Sequence, residues 1–355
     1  MKIKGFFDYP LKKILSISLE IYTKISNKKF FCRALKGQSN YNTVINSDLS
    51  VSCNCTDYLG FGKLGDLNKQ SLKQVFFSKK ANKFRNKLEK GKIPIVNCLF
   101  CPDFCIIDRN SPINNINNNK MPNGIMIENT ANCNLNCLSC NRNKVYSLRN
   151  KRSMSLKEIE KISKEIKKNK IKTISYFNLG EPFFSKNIEK ELKIIRKNNP
   201  NIFIHTSTNG HLINSESKKR AAMLFDEVIF SIHGSTQKSL SRYQRKGNFK
   251  KAYSNMKELV KFRDSKKSKT AIITWKYVLF RWNDSKKLIN RAIELAKQAN
   301  VDEIYFEKTI APLSAISYKH YLGLGYLNKL GKFQGKIFSI NLRKTKNEKK
   351  NSNFP

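Results

Sequence analysis

The sequence predicts an α/β fold in which strands pair in parallel and helices connect them. Six short, nearly continuous apolar runs alternate with helix patterns between residues 121 and 310. Apolar runs of this kind are typical of strands in a parallel sheet, where each crossover needs a helix. Six units are too few for a complete eight-stranded barrel. We therefore expect either a partial barrel or an open doubly wound sheet.

The strands and helices of this region follow one another at regular spacing. Strand patterns cover residues 124–131, 171–182, 202–210, 226–234, 270–280 and 301–309, and helix patterns cover residues 155–170, 186–198, 215–224, 250–264 and 286–299. Ser155 suits the N-cap of the first helix, and Ile159, Ile162 and Ile166 form its apolar stripe. Polar, glycine-bearing motifs follow the strands, at the carboxyl ends where such sheets bind ligands.

The first 110 residues are less regular. A helix is predicted at residues 8–25, where apolar residues recur at helical spacing with lysines between them and Pro10 suits the N1 position. This helix either packs on its own domain or lies as a basic amphipathic helix on a membrane. A further amphipathic helix is predicted at residues 71–91, where Gly91 ends it.

Residues 111–120, with the sequence SPINNINNNK, are polar and Asn-rich, which indicates a linker. The linker divides the chain into a cysteine-containing domain at residues 1–110 and the α/β domain at residues 121–312. Residues 313–355 form a C-terminal extension, and we expect its basic tail to be disordered.

The composition is that of a folded but strongly basic protein. Of the 355 residues, 39% are hydrophobic, which permits a core and excludes a fully disordered chain. The net charge of +43 would ordinarily point to nucleic acid or an anionic surface as a partner. The lysines are spread through every segment together with Asn, Ile and Phe, as expected when A/T-rich codons accumulate across a genome. Nucleic acid is therefore not the expected partner.

The sequence predicts a cytoplasmic protein without a transmembrane segment, because it lacks an apolar run of eighteen residues and the features of a secretory signal. Nine cysteines fit this location, since a reduced compartment favours metal ligands and catalytic thiols over disulfides. Eight of them lie in clusters. The ninth, Cys32, is expected to be a small buried hydrophobic residue, with a metal ligand as the alternative.

Three cysteines, Cys133, Cys137 and Cys140, lie within eight positions directly after the first strand of the α/β domain. Structural zinc takes four protein ligands, and no fourth Cys or His follows closely. A cubane 4Fe-4S cluster needs a ligand on each of four irons, so three thiolates leave one iron open to a small molecule. This loop is therefore typical of a catalytic cluster.

The spacing CxxxCxxC after a first strand resembles the radical SAM superfamily, and the resemblance covers residues 121 to about 310. It implies a partial (β/α)6 TIM-type barrel and a 4Fe-4S cluster held by Cys133, Cys137 and Cys140, with S-adenosylmethionine (SAM) on the open iron. Members of this family cleave SAM reductively to a 5′-deoxyadenosyl radical, which abstracts hydrogen from a substrate. An electron donor such as flavodoxin or ferredoxin is then an implied partner.

Later motifs match the cofactor contacts of that family. Glu181 in LGEP would accept hydrogen bonds from the methionine ammonium group, and Gly180 would allow close backbone approach. Asn209 and Ser231 stand at strand ends where the family contacts the ribose and methionine moieties, and residues 304–306 stand where it lines the adenine. The sequence departs from the family at two positions. Ser139 replaces an aromatic residue that packs on the adenine, and Leu179 replaces the first glycine of GGEP.

A second set of cysteines precedes the linker, namely Cys53, Cys55, Cys98, Cys101 and Cys105. A CxC pair and a CxxCxxxC group, separated by a glycine-rich turn and a helix, indicate a metal centre, either zinc or an iron-sulfur cluster. The order of these features resembles the SPASM or twitch extension of radical SAM enzymes, although that extension usually follows the barrel. The resemblance implies one auxiliary 4Fe-4S cluster held by Cys98, Cys101, Cys105 and either Cys53 or Cys55, with structural zinc as the alternative.

These features predict a radical SAM enzyme with an N-terminal SPASM-like domain. The expected substrate is a peptide or protein, or a saccharide. Two alternatives stay open at this point. One is a radical SAM enzyme that modifies RNA, which the net charge would favour. The other is a non-catalytic, zinc-stabilised binding module.

Overall fold

The structure is a computed structural model that describes residues 8–55, 57, 60–111, 120–266 and 271–343, with the backbone alone for residues 8–12. The chain divides into two compact units. The first comprises residues 1–133 and 141–204, and the second comprises residues 134–140 and 205–355. No helix in the described ranges is long and apolar enough to cross a membrane.

The first unit contains two sheets. Its strands are β1 (Lys28–Cys32), β2 (Val44–Ile45), β3 (Ser50–Ser52), β4 (Lys63–Asp66), β5 (Phe104–Asp108), β6 (Gly124–Ile127) and β7 (Thr173–Ser175). One sheet has the order β4-β3-β2-β6-β7, in which β2, β6 and β7 are parallel and β3 and β4 are antiparallel. The other sheet is the antiparallel pair of β1 and β5.

The helices of the first unit are α1 (Asp8–Ile25), α2 (Leu72–Phe76), α3 (Lys79–Glu89), α4 (Arg142–Tyr146), α5 (Leu156–Lys168) and α6 (Ile188–Asn198), with short 3₁₀ helices at Val96–Phe100 and Pro182–Phe184. The prediction for α5 is confirmed, since Ser155 and Glu158 form a capping box. The prediction of one helix at residues 71–91 is wrong. Ser78 adopts an extended conformation and caps α3 through the Ala81 N–H, which ends α2 before it.

The second unit is built on β8 (Phe203–Thr208), whose first two residues belong to the first unit, β9 (Glu227–Ser231), β10 (Ile272–Leu279), β11 (Glu303–Lys308) and β12 (Ile337–Asn341). Strands β8 to β11 are parallel in sequence order, and β12 pairs antiparallel with β11. The helices are α7 (Glu216–Ala222), α8 (Gln237–Ser241), α9 (Phe249–Ser265), α10 (Lys286–Ala299), α11 (Tyr318–Tyr321) and α12 (Tyr326–Leu330), with a 3₁₀ helix at Leu313–Ala315.

The predicted α/β class with mostly parallel pairing is confirmed. The C-terminal extension supplies β12, a strand that the sequence did not indicate. Residues 112–119 of the predicted linker and residues 344–355 of the predicted tail lie outside the described residues. The domain boundaries expected from the sequence stay a prediction.

Strands β9, β10 and β11 have one polar face, so the prediction of nearly continuous apolar strands is wrong for them. Their register places Ser231, Lys276 and Tyr305 side by side on one face. Trp275 and Phe230 lie on the opposite face and are fully buried. The polar positions were hidden in the sequence because bulky apolar residues flank each of them.

Candidate functional site

The cysteine loop is divided between the two units, with Cys133 in the first and Cys137 and Cys140 in the second. The surroundings of each part are therefore described within its own unit. All nine cysteines are free thiols.

In the first unit, the LGEP loop is joined to the residues that lead into Cys133. The Glu181 N–H donates a hydrogen bond to the carbonyl oxygen of Asn132 at 2.8 Å. A Cβ atom on Gly180 would lie 1.8 Å from the carbonyl oxygen of Thr130, so this position admits no side chain. The two loops touch at the backbone, as a glycine at this position requires.

The Glu181 side chain is buried, with 3% of its surface exposed. Its Oε1 accepts a hydrogen bond from the Phe183 N–H at 3.3 Å and caps the 3₁₀ helix that follows. A buried carboxylate is costly unless it is hydrogen-bonded or faces a positive charge. The Glu181 carboxylate is therefore suited to a cationic ligand group such as an ammonium.

A buried ion pair is hydrogen-bonded to the residue that precedes the LGEP loop. The sequence analysis did not identify this pair. Arg149 Nε lies 3.0 Å from Glu128 Oε1, and both side chains are almost completely buried. Asn178, which precedes LGEP, donates a hydrogen bond to Glu128 Oε2 at 3.1 Å. Glu128 thus connects the end of β6 to the LGEP loop. The only indication in the sequence was a charged residue directly after an apolar strand.

In the second unit, backbone hydrogen bonds hold the loop that carries Cys137 and Cys140. The Leu138 N–H donates to the Tyr243 carbonyl oxygen at 2.8 Å, and the Asn136 N–H donates to the Arg245 carbonyl oxygen at 3.1 Å. Asn209 Nδ2 donates to Asn134 Oδ1 at 3.0 Å. The predicted site residue Asn209 is therefore placed against the cysteine loop.

Tyr243 brings an aromatic ring to the position where Ser139 departs from the family pattern. Its hydroxyl lies 3.2 Å from Ser139 Oγ. Its ring stacks on Phe280 with a centroid distance of 4.4 Å, and Phe280 stacks on Trp282 at 4.9 Å. Burial raises the pKa of the Tyr243 hydroxyl, and the neighbouring Cys137 and Cys140 raise it further. The sequence analysis missed Tyr243 because 104 positions separate it from Ser139.

The polar face of β9 to β11 begins at the predicted residue Ser231. Its Oγ lies 2.8 Å from Ser207 Oγ on β8. Lys276 follows on β10 and forms an ion pair with Glu307. Burial disfavours the charge on Lys276, but Tyr305 and Glu307 outweigh this effect and raise the pKa of the ammonium group. Tyr305, from the predicted adenine-lining segment, lies on this face.

Buried titratable groups elsewhere in the second unit are held by structural hydrogen bonds. His233 Nδ1 accepts from the Val278 N–H at 3.2 Å, and burial lowers the pKa of His233 to about 3. Glu227 accepts from Thr274 Oγ1 at 3.1 Å, and burial raises the pKa of Glu227 to about 7. Burial lowers the pKa of its register neighbour His205 to about 4.

The N-terminal cysteines lie around the β1–β5 pair of the first unit. The register places Cys32 opposite Phe104 and Phe31 opposite Cys105, so Cys32 and Cys105 point to opposite faces. Asn42 connects two of the other cysteines. Its Nδ2 lies 3.6 Å from Cys101 Sγ, and its Oδ1 accepts from the Cys55 N–H at 2.9 Å.

Cys53 is connected to the Cys98 segment through Asp57. The Cys53 N–H donates to the Gly62 carbonyl oxygen at 2.9 Å, and the Gly62 N–H donates to Asp57 Oδ2 at 2.9 Å. Asn97, which precedes Cys98, lies 3.4 Å from Asp57 Oδ1. These bonds bring Cys53 and Cys98 to the same part of the unit.

The charges of these thiols act on one another. Burial, together with the charge of Cys98, raises the pKa of Cys32 to about 12. Burial also raises the pKa of Cys53 and Cys101, and Cys32 adds to both shifts. These mutual effects indicate that Cys32 lies near Cys53, Cys98 and Cys101. Thiols with raised pKa values become thiolates when a metal replaces their protons.

Within the described ranges, no three Cys, His, Asp or Glu side chains converge on a single metal ion. The thiolates of a cubane cluster bind four different irons, whereas zinc gathers its ligands on one ion.

Comparison with known proteins identifies one family. Residues 127–278 match the model of the Radical SAM superfamily. The matched segment begins at the end of β6 and ends in β10, and it includes all three loop cysteines together with Glu181, Asn209 and Ser231. This segment of the chain is therefore similar to a radical SAM superfamily domain. No curated protein matches the chain by sequence.

Three solved structures are similar to parts of the chain. One is native anSMEcpe with bound AdoMet, with 20% identity and a TM-score of 0.39 over 51% of this chain and 50% of that chain. Another is BtrN in complex with AdoMet and 2-DOIA, with 18% identity and a TM-score of 0.28 over 36% of this chain and 49% of that chain. The third is coproporphyrinogen III oxidase (HemN) from Escherichia coli, a radical SAM enzyme. It has 10% identity and a TM-score of 0.33 over 48% of this chain and 42% of that chain. The matches thus span half or less of each of these proteins.

Proposed function

We propose that this protein is a radical SAM enzyme with a partial barrel, in which Cys133, Cys137 and Cys140 hold a 4Fe-4S cluster. Such a cluster, held by these three cysteines, would supply the single electron that reductive cleavage of SAM requires. The observation that carries the proposal is the hydrogen bond between Glu181 and Asn132. It joins the LGEP loop to the cysteine loop inside the segment that matches the family.

The residues around the loop have separate roles in this proposal. The Glu181 carboxylate binds the methionine ammonium group as a charge-assisted acceptor. Asn209 positions the cysteine loop through Asn134. Tyr243 supplies the aromatic surface for the adenine that position 139 lacks. Ser231 lies at the start of the polar face and contacts the ribose or methionine moiety.

The polar face supports a hydrophilic substrate. Ser207, Ser231, Lys276, Tyr305 and Glu307 offer hydroxyl, ammonium and carboxylate groups where a parallel sheet is normally apolar. These groups already pair with one another, as Ser207 does with Ser231 and Lys276 with Glu307, and a polar ligand would bind at their remaining donors and acceptors. A peptide or protein, or a saccharide, meets this requirement. A cytoplasmic location and an electron donor such as flavodoxin or ferredoxin accompany the proposal.

The SPASM-like N-terminal region is proposed to hold an auxiliary 4Fe-4S cluster, with zinc as the alternative. The mutual effects of these thiols on their pKa values support Cys32, Cys53, Cys98 and Cys101 as its ligands. Cys105 points to the other face of the β1–β5 pair. Cys55 is held at its backbone by Asn42, beside this group. This set replaces Cys105 of the sequence-based expectation with Cys32.

The test compares the unaltered protein with a Cys133→Ala, Cys137→Ala, Cys140→Ala variant after anaerobic reconstitution. We expect about eight irons per chain to fall to about four, because each 4Fe-4S cluster holds four. With dithionite and SAM, 5′-deoxyadenosine should form in the unaltered protein only. About four irons falling to none, with zinc retained, would make the N-terminal centre a zinc site. The absence of iron from both proteins would refute the proposal that this protein is a radical SAM enzyme.

A further inference from the structure

Helix α1 turns its polar side towards the rest of the first unit. The helix packs against β1 and the 3₁₀ helix at Val96–Phe100. Glu20 Oε1 accepts a hydrogen bond from the Ile93 N–H at 2.9 Å. Thr23 is 1% exposed and donates its hydroxyl to the Glu20 carbonyl oxygen at 3.0 Å. Of the described α1 side chains that are not exposed, Ser16, Glu20 and Thr23 are polar and Leu19 is apolar, so the inward side of this helix is more polar than that of an ordinary surface helix.

The apolar side of α1 faces outward. Its exposed large side chains, with their exposed fractions, are Ile14 (61%), Leu15 (48%), Ile17 (48%), Ile21 (53%), Tyr22 (41%) and Ile25 (81%). At 3.6 residues per turn they cover an arc of roughly 160°. Isolated exposed apolar residues are ordinary, but six on one side of one helix form a patch that marks an interaction surface.

Positive charge lies along one edge of this patch. Lys13 and Lys24 are exposed, whereas Glu20, the acidic residue of α1 with a described side chain, is turned inward onto Ile93. The whole chain carries a net charge of +43. An apolar face with exposed lysines along one edge is complementary to a surface that is negative at its headgroups and apolar beneath them.

We propose that α1 binds the surface of a lipid bilayer that contains anionic headgroups. The isoleucine side chains enter the boundary between headgroups and acyl chains, and Lys13 and Lys24 lie at the level of the phosphates. A second copy of the chain is a poorer occupant for two reasons. The net charge of +43 opposes self-association. The arc is also wider than the narrow seam of a coiled-coil dimer.

The test separates insertion of apolar side chains from attraction by net charge. The full chain, purified anaerobically, is sedimented with phosphatidylcholine vesicles that contain or lack 30% phosphatidylglycerol. One variant carries Ile17→Lys and Ile21→Lys. The matched control carries Leu322→Lys and Leu324→Lys, at positions in the second unit that are 72% and 70% exposed. Both variants gain two positive charges.

We expect Ile17→Lys with Ile21→Lys to weaken binding to the anionic vesicles at least tenfold, while the control binds as the unaltered protein does. Equal binding of all three proteins would overturn the proposal, because net charge alone would then explain it. Failure of the unaltered protein to bind would also overturn it. So would a dimer in sedimentation equilibrium that the α1 variant dissociates in the absence of vesicle binding.

A second measurement uses the unaltered protein alone and does not depend on how the variants fold. Amide hydrogen exchange of residues 13–25 is compared with and without anionic vesicles. Slower exchange over these residues, relative to α3, supports the proposal. Unchanged exchange in α1 while the protein is bound to vesicles would place the contact elsewhere and refute it.

Discussion

Glu181 donates its backbone N–H to the carbonyl oxygen of Asn132, the residue before Cys133, at 2.8 Å. Two loops that follow different strands of one parallel sheet are thereby fixed to each other. The carboxylate of Glu181 is buried next to this bond. Because the backbone makes the connection, the side chain can be changed without breaking it.

Glu181→Gln should therefore separate ligand binding from loop structure. The amide keeps the size of the side chain but loses its charge, so SAM affinity should fall by about tenfold to a hundredfold, as expected for a hydrogen bond to a charged group. Iron content should stay unchanged. Isothermal titration with SAM measures the first effect, with Glu160→Gln on the exposed face of α5 as the control. Unchanged affinity in Glu181→Gln would exclude the carboxylate from the SAM site.

Gly180→Ala should destabilise the first unit. Its Cβ would lie 1.8 Å from the Thr130 carbonyl oxygen, a backbone atom that cannot move without displacing the loop. We expect the free energy of unfolding to fall by about 3 kcal/mol. Urea unfolding followed by circular dichroism measures this change. The neighbouring Leu179→Ala serves as the control, and equal unfolding midpoints for the two variants would contradict the close approach.

Tyr243→Ala should weaken SAM binding by up to about tenfold, since an aromatic contact contributes about 1 kcal/mol beyond its buried area. Tyr243→Phe keeps the ring and should retain most of the affinity. Tyr318→Ala, at a position that is 57% exposed, is the control. If Phe and Ala at position 243 lowered affinity equally, the hydroxyl and its contact with Ser139 would be responsible instead of the ring.

Cys32→Ser and Cys105→Ser should differ in metal content. Both are made in the variant that lacks Cys133, Cys137 and Cys140, so any remaining iron or zinc belongs to the N-terminal centre. We expect Cys32→Ser to lose that metal and Cys105→Ser to retain it, because the two residues point to opposite faces of the β1–β5 pair. Metal and sulfide analysis after anaerobic reconstitution measures the difference. The reverse result would restore Cys105 as the ligand.

Glu227→Gln should change how stability depends on pH. Burial, followed by the charge of Glu303, raises the pKa of Glu227 from 4.5 to about 7, although a hydrogen bond from Thr274 opposes this shift. The folded state thus holds the proton more tightly than the unfolded state. The contribution of Glu227 to the free energy of unfolding is complete below pH 4.5 and is lost as the pH rises through about 7.

Replacing Glu227 by Gln removes this loss. Between pH 5 and pH 8, the free energy of unfolding of the variant should therefore exceed that of the unaltered protein by up to about 3 kcal/mol. Urea unfolding at several pH values measures the gain. Glu294→Gln, which is exposed on α10, should show no such trend. If the free energies of unfolding of Glu227→Gln and the unaltered protein differed by the same amount at every pH, the effect would come from packing and not from titration of Glu227.

Local patterns predicted much of the fold. The stripe of Ile159, Ile162 and Ile166 and the cap at Ser155 indicated α5 because all of these interactions lie within one helix. Register between strands was not predictable in this way. Antiparallel pairing of β1 with β5 places Cys32 opposite Phe104, and no local pattern indicated this register.

The same limitation applies to the candidate site. Tyr243 meets Ser139 through tertiary packing, and no local pattern connects residues so far apart. Lys276 and Tyr305 share a polar face because their strands are parallel neighbours in a particular register. The motif residues Gly180 and Glu181 were identifiable because the motif itself is local.

The contact between Gly180 and Thr130 also limits how this sequence can change. Lysine, asparagine and isoleucine are abundant throughout the chain. At position 180, any of these residues would place a side chain inside the neighbouring backbone. This position is therefore closed to every residue that carries a Cβ atom, whatever composition the rest of the chain has.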